Sequence, residues 1–211
     1  MMTSKERVLA AIARRKPDRV PVDFSATPAT LRRLMSEYGA SGHADLLAKL
    51  NVDIVDLRGV VDPVYCGPAS QTVSLSGGIV ENYWGMRTKT MQTATGPEEC
   101  YCDFVLAGCT SVDELTAHRW PEVDWFDFAD FSDRLDAWSD LAIMASGPSV
   151  WQHATFLRGI ENMLTDLIAA PEVAAFLMDK FTDFYVEYFD RMLNIAGGKI
   201  DILRIADDLA M

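Results

Sequence analysis

Positive charge is scarce in this chain. Lys and Arg number 19 against 31 Asp and Glu, a formal net charge of -12 over 211 residues. No basic stripe is available to neutralise phosphates, which argues against nucleic acid as a partner. Cysteine is scarce as well: Cys66, Cys100, Cys102 and Cys109 do not make a disulfide scaffold, so a reducing, cytoplasmic setting is expected. No apolar run approaches the ~18 residues of a membrane span. The opening MMTSKERVLAAIARRKPDR is charged along its length and lacks a signal-peptide core. A soluble protein with no membrane partner is the expectation. Glycine is missing where a dinucleotide loop would need it, since RVPVDFSATPAT contains none. G-x-S-x-G and H-E-x-x-H are absent too, so nucleotide binding and serine hydrolysis both lose ground.

What the sequence does contain is enough for one good core. Hydrophobic residues make up 49% and charged residues 24%, the balance of a folded globular chain. T-S-K-E is a capping box at Thr3 and Glu6, and it predicts a helix to about residue 14. RVPVDF predicts a short strand over 19–24. Thr27 and Pro28 then open a helix over 29–38, a shorter helix covers 44–50, and VDIVDL predicts a buried strand over 52–57. Strand, helix, strand at this spacing points to a parallel sheet.

Between about 61 and 107 the period changes to alternation. Thr72, Ser74 and Ser76 alternate with Val73 and Leu75, Gly77-Gly78 makes a turn, and three more runs follow over 79–83, 87–93 and 100–106. This reads as a β-hairpin insertion on one rim of the sheet. Tyr65, Tyr83, Trp84 and Met86 either wall a pocket or pack the ribbon onto the body. A capped helix over 111–117, an acidic-aromatic linker WPEVDWFDFADF, a helix over 132–138 and a strand over 141–145 come next. Long helical runs follow Gly159 and Pro171. Val173, Phe176, Leu177, Phe181, Phe184, Tyr185, Tyr188, Phe189 and Met192 form a core stripe there, with Glu161 and Asp166 on the surface. Gly197-Gly198 leads into a final buried strand over 201–206. The result is an α/β chain with about four parallel strands plus the insertion.

Ligands collect at the C-terminal ends of parallel strands, and the candidate site residues are those that fall there. Asp207, Asp208 and His153 are the candidates for catalysis. Asp23, Asp56, Arg58 and Trp151 are the candidates for substrate binding. Each has a structural alternative: a rim salt bridge or loop cap for Asp56 and Arg58, a turn or helix cap for Asp23, a half-buried helix position for His153. Cys100 and Cys102 share a strand face, but Cys109 and His118 fit no regular zinc spacing. No metal site is assigned, and the cysteines read as buried small side chains.

Four separated segments, TSKERVLAAIARRKPDRVPVDF, VDIVDLRGVVDPVYCGP, SGPSVWQHATFLRGIENMLTDLIAAPEVAAFLMDKFTDFY and GGKIDILRIADDLAM, together resemble the uroporphyrinogen decarboxylase superfamily. That superfamily holds the haem-pathway lyase of porphyrin biosynthesis and the cobalamin- or corrinoid-dependent methyltransferases. The resemblance implies a partial TIM barrel, about the first four strands of eight, with residues 1–211 as the N-terminal portion of a single barrel domain. The loop SATPATLRRL does not match the arginine-rich loop with which decarboxylases grip carboxylates, and PVDFSATPAT is closer to the methyltransferase-like branch. Methyl transfer between a small methylated compound and a corrinoid or thiol acceptor is therefore expected, with this half-barrel inactive on its own. The alternatives are uroporphyrinogen decarboxylation and a non-catalytic fragment. For a full-length relative the resemblance implies corrinoid and zinc, with zinc ligands outside this sequence. It also implies a small-molecule substrate, and as partners a corrinoid protein or a second polypeptide that completes the barrel.

Overall fold

The computed structural model describes residues 2–94 and 96–208. In chain order the helices and strands are α1 (Ser4–Ile12), α2 (Pro28–Glu37), α3 (His43–Lys49), β1 (Ile54–Asp56), β2 (Val64–Tyr65), β3 (Thr72–Ser74), β4 (Ile79–Asn82), β5 (Arg87–Thr93) and β6 (Gly96–Cys102). They continue as α4 (Val112–Thr116), β7 (Phe126–Asp127), α5 (Phe131–Leu135), β8 (Ala142–Ser146), α6 (Val150–Arg158), α7 (Ile160–Ala169), α8 (Pro171–Ala196) and β9 (Ile202–Arg204). The architecture is α/β with parallel and antiparallel sheets. Among the described residues no helix is long and apolar enough to cross a membrane. The described residues divide into two compact units: 2–62, 128–146 and 192–204 form the first, and 63–94, 96–127, 147–191 and 205–208 form the second.

The first unit is built on a parallel sheet in the order β1-β8-β9. Val55 pairs with Ile143 and Met144 with Ile202. β8 is buried from Ala142 to Ala145, the unbroken apolar run expected of a strand covered on both faces. α1 starts as its sequence requires: Thr3 Oγ1 accepts the Glu6 N–H at 3.1 Å and Glu6 accepts the Thr3 N–H at 2.9 Å. Pro28 takes the first turn of α2 with Thr27 as cap.

Two expectations for this sheet change. The strand predicted over 19–24 is extended chain without a ladder. Pro21 has no N–H to give, and the Val22 N–H goes to the Asp53 carboxylate at 2.9 Å, leaving one backbone bond, Asp53 N–H to the Val22 carbonyl at 2.8 Å. The final strand shortens to β9 and is not buried: Leu203 is 42% exposed and Ile205 67%. Its one neighbour among the described residues is β8, so one side of β9 has no strand against it.

The second unit carries the antiparallel insertion as a four-stranded meander, β3-β4-β5-β6. The longest pairing runs from Arg87↔Cys102 to Thr93↔Gly96. The Gly77-Gly78 turn is a 3-10 turn, Ser76–Gly78, closed by the Leu75 N–H on the Ile79 carbonyl at 2.8 Å. The stretch read as an acidic-aromatic linker is more ordered than expected, since its Phe126–Asp127 pairs with Val64–Tyr65 as an antiparallel β2–β7 ribbon.

Tyr65, Tyr83, Trp84 and Met86 pack rather than wall a pocket. Trp84 and Met86 are buried, and the Trp84 ring lies 4.4 Å from Phe181 and 4.8 Å from Phe184, centroid to centroid. The α8 stripe is core, as its spacing predicts, with Val173, Leu177 and Phe181 fully buried. Asp166, expected on the surface, is buried and pairs with Arg158 at 2.7 Å. Gly159 makes this possible: its φ of +83° breaks α6 from α7, and Arg158 in the break also donates to the carbonyls of Leu106, Ala107 and Cys109. The cysteines are free thiols and none is buried.

Candidate functional site

The predicted site residues fall into two groups, one in each unit. In the first unit, Asp56 ends β1 beside Ser146 at the end of β8, and the Ser146 hydroxyl donates to it at 2.6 Å. Arg204, at the end of β9, reaches the same carboxylate at 3.3 Å and Asp23 at 4.0 Å. Asp56 also accepts the Arg58 N–H at 3.1 Å, an Asx-type turn that directs the chain off the strand. The parallel register sets this geometry, because Asp56 is level with Met144 and Ser146 with Arg204. Three strand ends thus deliver an acid, a hydroxyl and a guanidinium to one rim.

Beside that rim lies a cleft of about 790 Å³ whose walls include Phe24, Leu31, His43, Asp56, Arg58 and Trp138. Sequence reasoning did not identify Arg204 or His43. Arg204 carries one signal, as the only cation in DILRIADD, alternating with the exposed Leu203. His43 looked like a loop residue, but it opens α3 and lies edge-on to Trp138 at 6.3 Å. Burial lowers its pKa below 6.5, so the ring is neutral at pH 7 and can accept a proton. Asp62, close enough to feel the charges of Asp56 and Arg58, has its carboxyl pushed up by burial, against a pull downward from the Gly59 N–H. Of the two, His43 is on the cleft wall, and a neutral imidazole there is a usual acceptor in proton transfer.

In the second unit, the Asp207 carboxylate accepts the N–H groups of Trp151 at 2.7 Å and Gln152 at 3.1 Å. Those are the open amides of the first turn of α6, whose own cap, Ser149, makes no side-chain capping bond. Asp207 therefore caps α6 from a distance. Ser149 reinforces the arrangement by donating to the Ala206 carbonyl at 2.8 Å.

Asp208 accepts from Gln152 Nε2 at 2.7 Å and borders a pocket of about 280 Å³ with Trp151, Tyr101, Phe104 and Phe156. Trp151 and Asp208 thus share a pocket. Burial raises the Tyr101 phenol above its ordinary value, and the charge of Glu99 adds to that. His153 lines neither cavity. Its ring lies among Phe181, Tyr185 and Phe156, at 5.6 to 6.1 Å. Among the described residues no three His, Cys, Asp or Glu side chains converge as a metal site.

No family model matches this chain, and no curated protein matches it in sequence. A solved structure, a methyltransferase from Methanosarcina mazei, is similar over 99% of this chain and 60% of its own, with a TM-score of 0.53 and 18% sequence identity. The likeness is one of fold. The chain spans 60% of the length of the structure it matches.

Proposed function

We propose that this chain is a methyltransferase-like member of the uroporphyrinogen decarboxylase superfamily, moving a methyl group between a small methylated compound and a corrinoid or thiol acceptor. The observation that carries the reading is the fold shared with the methyltransferase from Methanosarcina mazei along 99% of this chain. The convergence of Asp56, Ser146 and Arg204 at the ends of β1, β8 and β9 supports it. On this reading residues 1–211 are the N-terminal portion of one barrel domain, and β9 is the strand on which the remaining units, or a second polypeptide carrying them, would pair.

The cleft chemistry favours methyl transfer over decarboxylation of a porphyrinogen. A substrate carrying several carboxylates needs several free cations, whereas among the described residues that line the cleft Arg58 is the one Arg or Lys, standing with Asp45 and Asp56, and Arg204 at the rim is already paired with Asp56 and Asp23. Among the described residues no group of His, Cys, Asp or Glu fits the zinc ion that the family resemblance implies, so no step is assigned to a metal. Asp23, Asp56, Arg58 and Arg204 would orient the substrate, and His43 on the cleft wall would handle a proton.

The test is an anaerobic assay of the chain, alone and co-expressed with a polypeptide that supplies the later units of the barrel, using cob(I)alamin and a panel of oxygen- and nitrogen-methylated donors. Loss of cob(I)alamin absorbance with a matching demethylated product is expected once the barrel is completed, and not from the half-barrel alone. Release of carbon dioxide from uroporphyrinogen, with no methyl transfer from any donor, would overturn the reading.

A further inference from the structure

The pocket beside Asp208 has a chemistry of its own. Tyr101 and Phe156 stack with centroids 3.5 Å apart and planes 10° from parallel, and Phe104 and Trp151 add two more aromatic walls. Besides the Tyr101 phenol and the Trp151 indole, the polar residues that line it are Asp208, Gln152 and Thr155, and no Lys, Arg or His lines it among the described residues. Among the described residues Asp208 has no cationic partner on its carboxylate; Gln152, a neutral amide, donates to it at 2.7 Å. At about 280 Å³ the space suits a ligand of a few heavy atoms. Aromatic rings with a carboxylate at the rim attract a cation that is weakly hydrated and apolar on its outside. A metal ion is too strongly hydrated for such walls, and an anion meets only negative charge in a chain of net charge -12.

We propose that this pocket binds a small methylated ammonium cation. This cation is not the substrate oriented by Asp56 and Arg58 in the first unit, so the binding stands independently of the methyl-transfer reading. The rings supply the contact surface, and Asp208, held by Gln152, supplies the countercharge.

Calorimetric titration of the full chain with tetramethylammonium tests it, with neopentyl alcohol as a neutral probe of the same shape and pivalate as an anionic one. Tetramethylammonium is expected to bind, and both comparison probes to bind at least roughly tenfold more weakly. Asp208→Asn and Phe156→Leu should each weaken tetramethylammonium binding by about tenfold. The Asp208→Asn variant keeps its melting temperature, since Asp208 is exposed, so a folding defect does not confuse the result. Equal affinity for tetramethylammonium and neopentyl alcohol would overturn the proposal, as would no detectable binding or unchanged binding in both variants. Binding without methyl transfer from any donor would leave the site standing and remove the enzymatic reading. Methyl transfer from oxygen-methylated donors with no ammonium binding would do the reverse.

Discussion

Asp53 is the residue on which the first unit depends. Its side chain has no exposed surface, yet it is a carboxylate in the middle of an apolar run. Arg7 reaches it at 2.6 Å, Arg19 grips both of its oxygens at 2.6 and 2.8 Å, and the Val22 N–H adds a fourth donor at 2.9 Å. Burial pushes the Asp53 carboxyl up, but the Val22 N–H, Ser4 and the two arginines together hold it below 3.8. The Arg7 guanidinium holds the neighbouring Asp18 well below the same value. Removing one partner of a buried ion pair costs roughly 3–5 kcal/mol, so Asp53→Ala should lower the urea midpoint sharply or prevent folding. The sign of the pH effect follows from the lowered pKa values. The stabilisation is complete above 3.8, the ordinary aspartate value, and is lost as the pH falls below it. Midpoints measured from neutral pH downward should fall through that range, and Asp18→Asn should flatten the slope; an unchanged slope would contradict this account. The cluster was not legible in the sequence, because the partners of Asp53 lie 46 and 34 residues away. VDIVDL shows the strand but not what pays for a charge inside it.

Among the elements, local signals were read correctly wherever both partners are close in sequence. The Thr3–Glu6 box, the Thr27-Pro28 start and the Ser111 cap of α4 all appear as predicted. The α6 cap is different, since Asp207 is 56 residues from the Trp151 amide it accepts. Sequence position made Asp207 a catalytic candidate, whereas its observed bonds are those of a cap. Asp207→Ala should therefore cost about 1 kcal/mol of stability, read as a lower melting temperature. Asp207→Asn, which keeps an acceptor oxygen, should recover most of it; a variant that melts like the parent would argue against the capping role. Gly85 is a second element-scale case. It adopts a φ of +81°, and a Cβ there would meet His118 Cε1 at 2.8 Å, while the His118 ring is held by its bond to the Trp84 carbonyl at 2.9 Å. Gly85→Ala combines left-handed strain with that clash, so it should destabilise by roughly 1–3 kcal/mol. Thermal melts of this variant beside Gly78→Ala, where a Cβ meets nothing within 4 Å, would separate the clash from the strain.

At the scale of the whole molecule, the α/β class and the antiparallel insertion could be read from period alone, because alternation in 72–76 and 87–93 is a local property. The β2–β7 ribbon could not: each strand has two residues, and Tyr65 finds Phe126 across 61 positions of chain. The missing first strand has the same cause, since it turns on whether Val22 pairs with backbone or with a distant carboxylate. Burial is the third quantity sequence cannot give, and here it leaves apolar surface uncovered. Ile160, Leu164, Leu167 and Ile168 recur on α7 at helical spacing, yet all four are exposed, Ile168 by 89%. A helix stripe of that kind normally faces a partner. The chain by itself should therefore associate as its concentration rises, visible as a growing sedimentation coefficient. Leu164→Glu with Ile168→Lys should reduce that association without lowering the melting temperature, because neither side chain is part of the core. If β9 is the contact instead, the α7 pair will have no effect and Leu203→Lys, placing a charge on the sheet edge, will reduce it. A chain that sediments as a monomer at every concentration would show that the exposed α7 stripe and the β9 edge do not drive association of this chain.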